Sequence, residues 1–291
     1  MERTVETQKK RSMALEIWRR LRKNKMAMLG LVILVMLALT AIFADVIADY
    51  DTKVIAQDIK NRLQGPSMEH WCGTDEFGRD IFARLVHGSR VSLVVGLISV
   101  SISLLMGGAL GRDACIYGGR VDNVIMRIMD IFLAVPSILL AMTIVAALGT
   151  SLINVMLAIG VSGIPGYARI VRASVMSIKD QEFVEASRAI GAKSPTTIFR
   201  EILPNCLAPI IVQATLSVAG AILSTASLSF IGLGVQPPSP EWGAMLSGGR
   251  NYLRDALHLT LFPGLAIVIT ILALNLLGDG LRDALDPRLK Q

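Results

Sequence analysis

The sequence predicts an all-α, polytopic membrane protein: a bundle of six transmembrane helices with both termini on the cytoplasmic side. Three observations carry that prediction. The 291 residues are 53% hydrophobic and only 18% charged, with a mean hydropathy of +0.56, a balance that soluble domains of this size rarely show. The apolar residues come in long blocks rather than in the short amphipathic pattern of a globular core. Lys and Arg then gather on alternate loops, as the positive-inside rule requires.

Crossing a hydrocarbon core of about 30 Å takes about 20 helical residues. Six segments qualify: 27–49, 91–111, 123–148, 153–171, 206–235 and 258–278. Each must be helical, because lipid offers no partner for an open N–H or C=O. The chain thus divides into a cytoplasmic amphipathic segment (1–26), a first span (27–49), an extracytoplasmic loop (50–90), a core of five helices (91–278) and a cytoplasmic tail (279–291). The fourth span is the least apolar, containing Asn154, Gly160, Gly163, Pro165 and Gly166. The fifth is longer than one crossing needs, so a tilt or a break near Gly232-Leu233-Gly234 is expected.

With the N-terminus inside, the cytoplasmic pieces hold 20 of the 29 Lys and Arg and the opposite side 8; the last, Arg127, opens the third span. The net charge of +6 and pI of 9.4 therefore express membrane orientation and require no nucleic acid. Ala14, Ile17, Trp18 and Leu21 share a helical face among Arg19, Arg20, Arg22, Lys23 and Lys25, which reads as an interfacial helix on anionic headgroups. The first span is too long for a signal peptide, and Ala41-Ile42-Phe43-Ala44 is a poor cleavage site. Cys72, Cys115 and Cys206 show no metal-ligand spacing, and His70 beside Cys72 is only a weak metal signal.

One cytoplasmic stretch breaks the hydrocarbon. Residues 172–204 contain "EASRAIGAKSPTTIFREILPN", Glu185 to Asn205. Ile178 to Ile190 has helical periodicity, with Phe183, Ala186, Ala189 and Ile190 available to one face. Gly191 suits a helix stop. Ser194 and Pro195 then start a second helix through Phe199 and Ile202, and Leu203-Pro204-Asn205 marks the return to the bilayer. The result is a helix–turn–helix knuckle whose small side chains let another protein approach closely. The plain alternative is a solvated connector.

Glu185-Ala186-Ser187, then Gly191, then Leu203-Pro204 resembles the EAA loop of ABC importer permeases. Ser187 stands for the third motif residue, and Glu201 occupies the usual isoleucine place with Ile202 beside it. "GTDEFGRDIFARLVHGSRVSL", "VDNVIMRIMDIFLAVPSILLA", "FIGLGVQPPSPEWGAML" and "FPGLAIVITILALNLLGDGLRDALDPRLK" are similar to the dipeptide/oligopeptide/nickel permease family in its C-type subunit, over about nine-tenths of the chain. One stretch departs: Arg112 to Tyr117 replaces a small apolar pair at the cytoplasmic end of the second span. The resemblance implies the MetI-like permease fold. It also implies a homologous second permease chain, two ATP-binding subunits that hold ATP and magnesium, and an extracytoplasmic solute-binding protein. Coupling would run through Glu185, Ala186, Ser187, Gly191, Leu203 and Pro204. The cargo it implies is a di- or oligopeptide, with nickel or glutathione as the family's other options.

No GxxxxGK[ST] loop, GxSxG or HExxH occurs in the sequence, so the chain is expected to be no enzyme and to rely on a partner for energy. A secondary transporter would bury ionisable groups mid-membrane. The candidates, Arg127 and Asp130, are three apart on one helix and read as a structural pair. A non-transporting scaffold subunit is the other rival. Under the importer reading, residues 50–90 and Gln236–Glu241 belong to the surface facing the binding protein, with turn chemistry from Gly73 to Asp80. Gly107 and Gly111 form a GxxxG in the second span, which with the fourth span's glycines reads as close helix packing.

Overall fold

The computed structural model describes residues 13–192 and 194–285. Arg3, Lys9, Lys10 and Arg11 of the basic segment, Lys193, and Arg288 and Lys290 of the tail lie outside the described residues. So do the side chains of Ala14, Arg188, Ser194, Pro195 and Phe199.

Helix α1 (Met13–Leu21) leads to α2 (Lys25–Ile42), whose start is capped by Asn24 accepting from the Met26 and Ala27 amides at 3.1 Å each. A short α3 (Ala44–Ile47) follows a break at Phe43, so the first span is shorter than the apolar block 27–49 suggested. The interfacial reading of α1 holds only for part of its face. Trp18 is exposed, but Leu21 is buried with Ala27 and Ala284, and Ile17 packs beside them.

Helix α4 (Ile81–Tyr117) is 37 residues long, about 55 Å at 1.5 Å per residue. It outruns the bilayer because hydropathy marks where lipid stops, not where a helix stops. Arg112 and Asp113 pair with each other at 2.8 Å on its last turns, and the helix passes through them unbroken.

The expected third span, 123–148, is not one helix. Helix α5 (Gly119–Ala134) and helix α6 (Ser137–Leu148) meet at 88°. Pro136 is the cause: it cannot donate to the preceding turn and it forces Val135 out of the helical region, here to φ −95 and ψ 129. Among the described residues five helices are long and apolar enough to cross a membrane, with α5–α6 a sixth if the bent pair is counted as one span.

Helix α7 (Leu152–Lys179) is continuous through Pro165 and extends beyond the expected 153–171. It leads to α8 (Glu182–Ala189) and α9 (Ser194–Thr197). A wide π turn, Ile198–Ile202, joins α9 without a break to α10 (Leu203–Phe230). Gly232, at φ +90, then turns the chain, so the fifth span ends before 235. Helix α11 (Trp242–Gly249) and helix α12 (His258–Leu285) complete the bundle.

The α4–α7 crossing is the most extensive helix contact in the bundle. Gly107 and Gly111 lie against the carbonyls of Ile164 and Ala168, and Gly160 faces the Ile102 side chain. Backbones this close allow hydroxyls to bond across helices: Ser99 donates to the Met156 carbonyl at 3.1 Å and Ser103 to that of Gly160 at 2.6 Å.

At the end of the bundle opposite α8, the 50–90 loop is packed rather than merely solvated. Asp75 accepts from the amides of Phe77 and Arg79, and from Arg79 Nε at 2.6 Å. Arg84 lies 3.6 Å from Asp75 and donates to the Val54 carbonyl at 3.0 Å. Glu241 is buried as the N-cap of α11. Asp75 and Arg79 therefore hold the loop together, Glu241 caps α11, and all three are buried rather than offered to a docking partner. His70 is bonded to Asp80 at 2.8 Å, and no group of three or more metal-ligating side chains occurs among the described residues.

Candidate functional site

The knuckle begins one turn later than its periodicity suggested. Ile178 belongs to α7 and is buried, and the chain bends at Asp180-Gln181 before α8 starts. The Gln181 carbonyl accepts from the amides of Val184 and Glu185 at 2.9 and 3.1 Å, which satisfies donors that a helix start leaves open. Glu182 and Glu185 fall in the first turn, where negative charge complements the helix dipole.

The other end is a Schellman stop. Ile190 donates to the Ala186 carbonyl at 3.1 Å, Gly191 sits at φ +85, and Ala192 reaches back to the Ser187 carbonyl at 3.1 Å. A β-carbon at Gly191 would meet nothing within 4 Å. The glycine is therefore set by backbone conformation and not by space.

One side of α8 is anchored and the other is free. Val184 is fully buried, sharing a cluster with Val175 and Ile178 of α7 and with Ile202 and Cys206 at the head of α10. On the free side Phe183 is 39% and Ile190 86% exposed, with Glu185, Ala186 and Ala189 exposed between them. Apolar and small side chains thus face outward on a short helix held from behind.

Glu185, Ala186, Ser187 and Gly191 form one continuous feature, with Ser187 half-buried. Leu203 and Pro204 stand apart from it, at the first turn of α10; their neighbours Ile202 and Cys206, not they, pack in the Val184 cluster. Pro204 is exposed and marks no break: the Leu203 amide donates to the Ile198 carbonyl, five residues back. That widened turn lets the chain pass a residue with no N–H of its own. Ile202, at 3% exposure, takes the buried place beside which Glu201 had appeared anomalous. Sequence reasoning named Ile202 but missed Val184. A lone valine among exposed neighbours carries no periodic signal, and only the fold shows which face turns inward.

Arg127 and Asp130 do not pair. Asp130 bonds instead to Arg169 of α7 at 2.6 Å, and Asp122 holds Arg172 with two bonds of 2.6 Å. Both pairs tie α5 to α7 just above the knuckle. They are structural ties, as expected of Asp130, but with a partner 39 residues away.

Residues 94–291 match the family model described as binding-protein-dependent transport system inner membrane component. Residues 12–66 match the N-terminal TM domain of oligopeptide transport permease C. The chain is 50% identical over 275 residues to the dipeptide transport system permease protein DppC of Alkalihalophilus pseudofirmus, covering 94% of this chain and 90% of that one. It is 48% identical to the di/tripeptide transport system permease protein DppC of Pseudomonas aeruginosa, covering 94% and 92%. To the glutathione transport system permease protein GsiD of Escherichia coli it is 46% identical, covering 94% and 90%. Its fold is similar to that of a chain in the inward-facing MetNI methionine ABC transporter: TM-score 0.59, 21% identity, covering 71% of this chain and 98% of that one. These matches remove the secondary-transporter and scaffold readings. The chain belongs to the family of binding-protein-dependent transport system inner membrane components, as a multi-pass permease of the dipeptide/oligopeptide ABC importers.

Proposed function

We propose that this chain forms half of a translocation pathway for di- or oligopeptides and is driven through α8. In this reading a homologous second permease chain supplies the other half. Two ATP-binding subunits hold ATP and magnesium, and one of them grips the exposed face around Glu185, Ala186 and Ser187. A solute-binding protein delivers cargo at the opposite face. The Lys/Arg balance of 20 against 8 supports placing both termini and α8 in the cytoplasm. The names of the relatives support a short peptide as cargo, and the GsiD relative keeps glutathione within the same class.

The observation that carries the reading is the two-sidedness of α8. A coupling helix must be stiff toward its own subunit and receptive toward another. Val184 supplies the first property, and the exposed Phe183–Ile190 face the second. Burying an exposed large apolar side chain against a partner is worth about 1.5–3 kcal/mol, so Phe183 and Ile190 can contribute anchors to such a grip.

Gly191→Pro and Glu185→Lys are the variants to test. Both should abolish peptide uptake in cells while leaving the chain inserted and present at wild-type level. A single cysteine replacing Ala186 should crosslink to an ATP-binding subunit, whereas one replacing Asn61 should not. Normal uptake in both variants would end the coupling reading. Labelling of both cysteines from the same side would overturn the topology.

A further inference from the structure

Halfway along the spans, α4, α6, α7 and α10 enclose a cavity of about 280 Å³. Polar groups line it at a depth where lipid would solvate none of them: Ser99 and Ser103 of α4, Ser162 and Tyr167 of α7, and Gln213 and Ser217 of α10. Several are already committed. Ser99, Ser103 and Ser162 donate to backbone carbonyls, and Gln213 donates to Ser217 Oγ at 3.1 Å. Tyr167 is the exception. It is 4% exposed, and among the described residues its hydroxyl makes no hydrogen bond of good geometry; its polar neighbour, Ser217, is shared with Gln213. A buried phenol without a well-formed hydrogen bond is expensive to keep and calls for a ligand atom.

The chamber exists because two helices carry glycines there. A β-carbon at Gly166 or Gly220 would meet nothing within 4 Å. Gly107 and Gly111, by contrast, lie against the facing backbone. The first two glycines therefore keep a space open, and the other two bring helices together.

The lining selects a chemistry. None of its residues is charged, so the chamber can address only the neutral part of a cargo, and ionised termini would have to be met outside it. No carboxylate, imidazole or thiol lines it, so it does not suit a metal ion. An acyl chain would leave the Tyr167 hydroxyl unsatisfied. Hydroxyl and carboxamide groups both donate and accept, which matches the neutral N–H and C=O of a peptide main chain.

We infer that this chamber is where the subunit touches cargo in transit, with Tyr167, Gln213 and Ser217 hydrogen-bonding the amides of a short peptide whatever its side chains. The inference rests on the importer reading and adds a site to it. Tyr167 is a contact residue in this scheme, and Gly166 and Gly220 are the residues that leave room.

The test uses the full importer with its binding protein in proteoliposomes, with defined di- and tripeptides as probes. Tyr167→Phe removes one oxygen and no volume. It should raise KM about five-fold for different peptides alike, the loss expected of one neutral hydrogen bond, with binding-protein-stimulated ATP hydrolysis unchanged. Gly166→Leu and Gly220→Leu should each cut uptake at least ten-fold in assembled complexes that still hydrolyse ATP. A peptide N-methylated at its amide should be taken up less well by wild type, and Tyr167→Phe should narrow that difference. Unchanged KM in Tyr167→Phe, or wild-type uptake in either leucine variant, overturns the chamber and leaves the importer reading standing. Wild-type vesicles that take up no peptide end both.

Discussion

The α4–α7 crossing makes a quantitative prediction. Adding one methyl group to Gly107 places it against the Ile164 carbonyl oxygen and 2.8 Å from Tyr167 Cβ. At Gly111 it meets the Ala168 carbonyl oxygen and lies 3.0 Å from the carbon behind it. These obstacles are backbone, so no rotamer change relieves them, and the helices must separate instead. Overpacking of this kind costs about 1–3 kcal/mol. Gly108 is the internal control: the nearest atom to its added methyl is Val171 Cγ2 at 3.9 Å, and alanine there is neutral or better by up to about 1 kcal/mol from helix propensity. The double variant Gly107→Ala/Gly111→Ala should lose less than the sum, since one separation relieves both contacts. Reversible unfolding in mixed micelles with increasing SDS measures the differences. If Gly107→Ala and Gly111→Ala fall within about 0.5 kcal/mol of Gly108→Ala, the usual range for a neutral site, the crossing is not held by backbone contact and the reasoning is wrong.

Two further outcomes follow from single residues. Val184→Ala removes two buried methyl groups from the anchor of α8, about 1.5–3 kcal/mol. Hydrogen exchange across 182–192 should quicken at least ten-fold while exchange in α4 stays unchanged; equal protection in both proteins would show that the anchor lies elsewhere. Burial, and behind it the Asp80 charge, raises the pKa of the Cys72 thiol. The thiolate is the reactive form, so alkylation should be slow at neutral pH and its rate should still be climbing where an ordinary thiol has levelled off. A rate that is already half-maximal at about pH 8.5, the usual thiol pKa, would contradict that environment.

Much of this architecture was legible because lipid imposes a simple rule. Five of the six apolar blocks became single spanning helices and the sixth a bent pair, and the GxxxG pair and the Gly191 stop were read from glycine alone. The failures share a cause: hydropathy averages over a window and reports solvent, not backbone. It ran across Pro136, although that residue carries the local reason for an 88° turn. It ended the fourth span at 171, where α7 continues to Lys179 as a helix in polar surroundings. Tertiary partners were beyond it altogether. Asp130 looked toward Arg127, the nearest opposite charge along its own helix, while the fold presents Arg169. The chamber was equally hidden, since Tyr167, Gln213 and Ser217 become neighbours only when α7 packs beside α10.

The continuity of α7 explains how a grip on α8 would be felt in the chamber. Val184 sits in one cluster with Val175 and Ile178, so α8 cannot move without the end of α7. From Ile178 to Tyr167 is eleven residues of unbroken helix, about 16 Å, too short and too well bonded to absorb a displacement by bending. Over the same stretch Gly107 and Gly111 fix α7 to α4, while Arg169 and Arg172 fix it to α5. A displacement of α8 would therefore carry α4, α5 and α7 as one group. Compliance is left to the points where helical hydrogen bonding is interrupted: Val135-Pro136, between α5 and α6, and Asp180-Gln181, between α7 and α8. Ser137, Ile138 and Ala141 of α6 form one wall of the chamber, and Gly163, Gly166 and Tyr167 of α7 form another. Motion about the Pro136 corner would thus change the chamber's width directly. Straightening that corner with Pro136→Ala should stiffen the joint and slow uptake while leaving the proposed grip on α8, and ATP hydrolysis by the partner subunits, in place. Equal loss of both activities would put the hinge somewhere else.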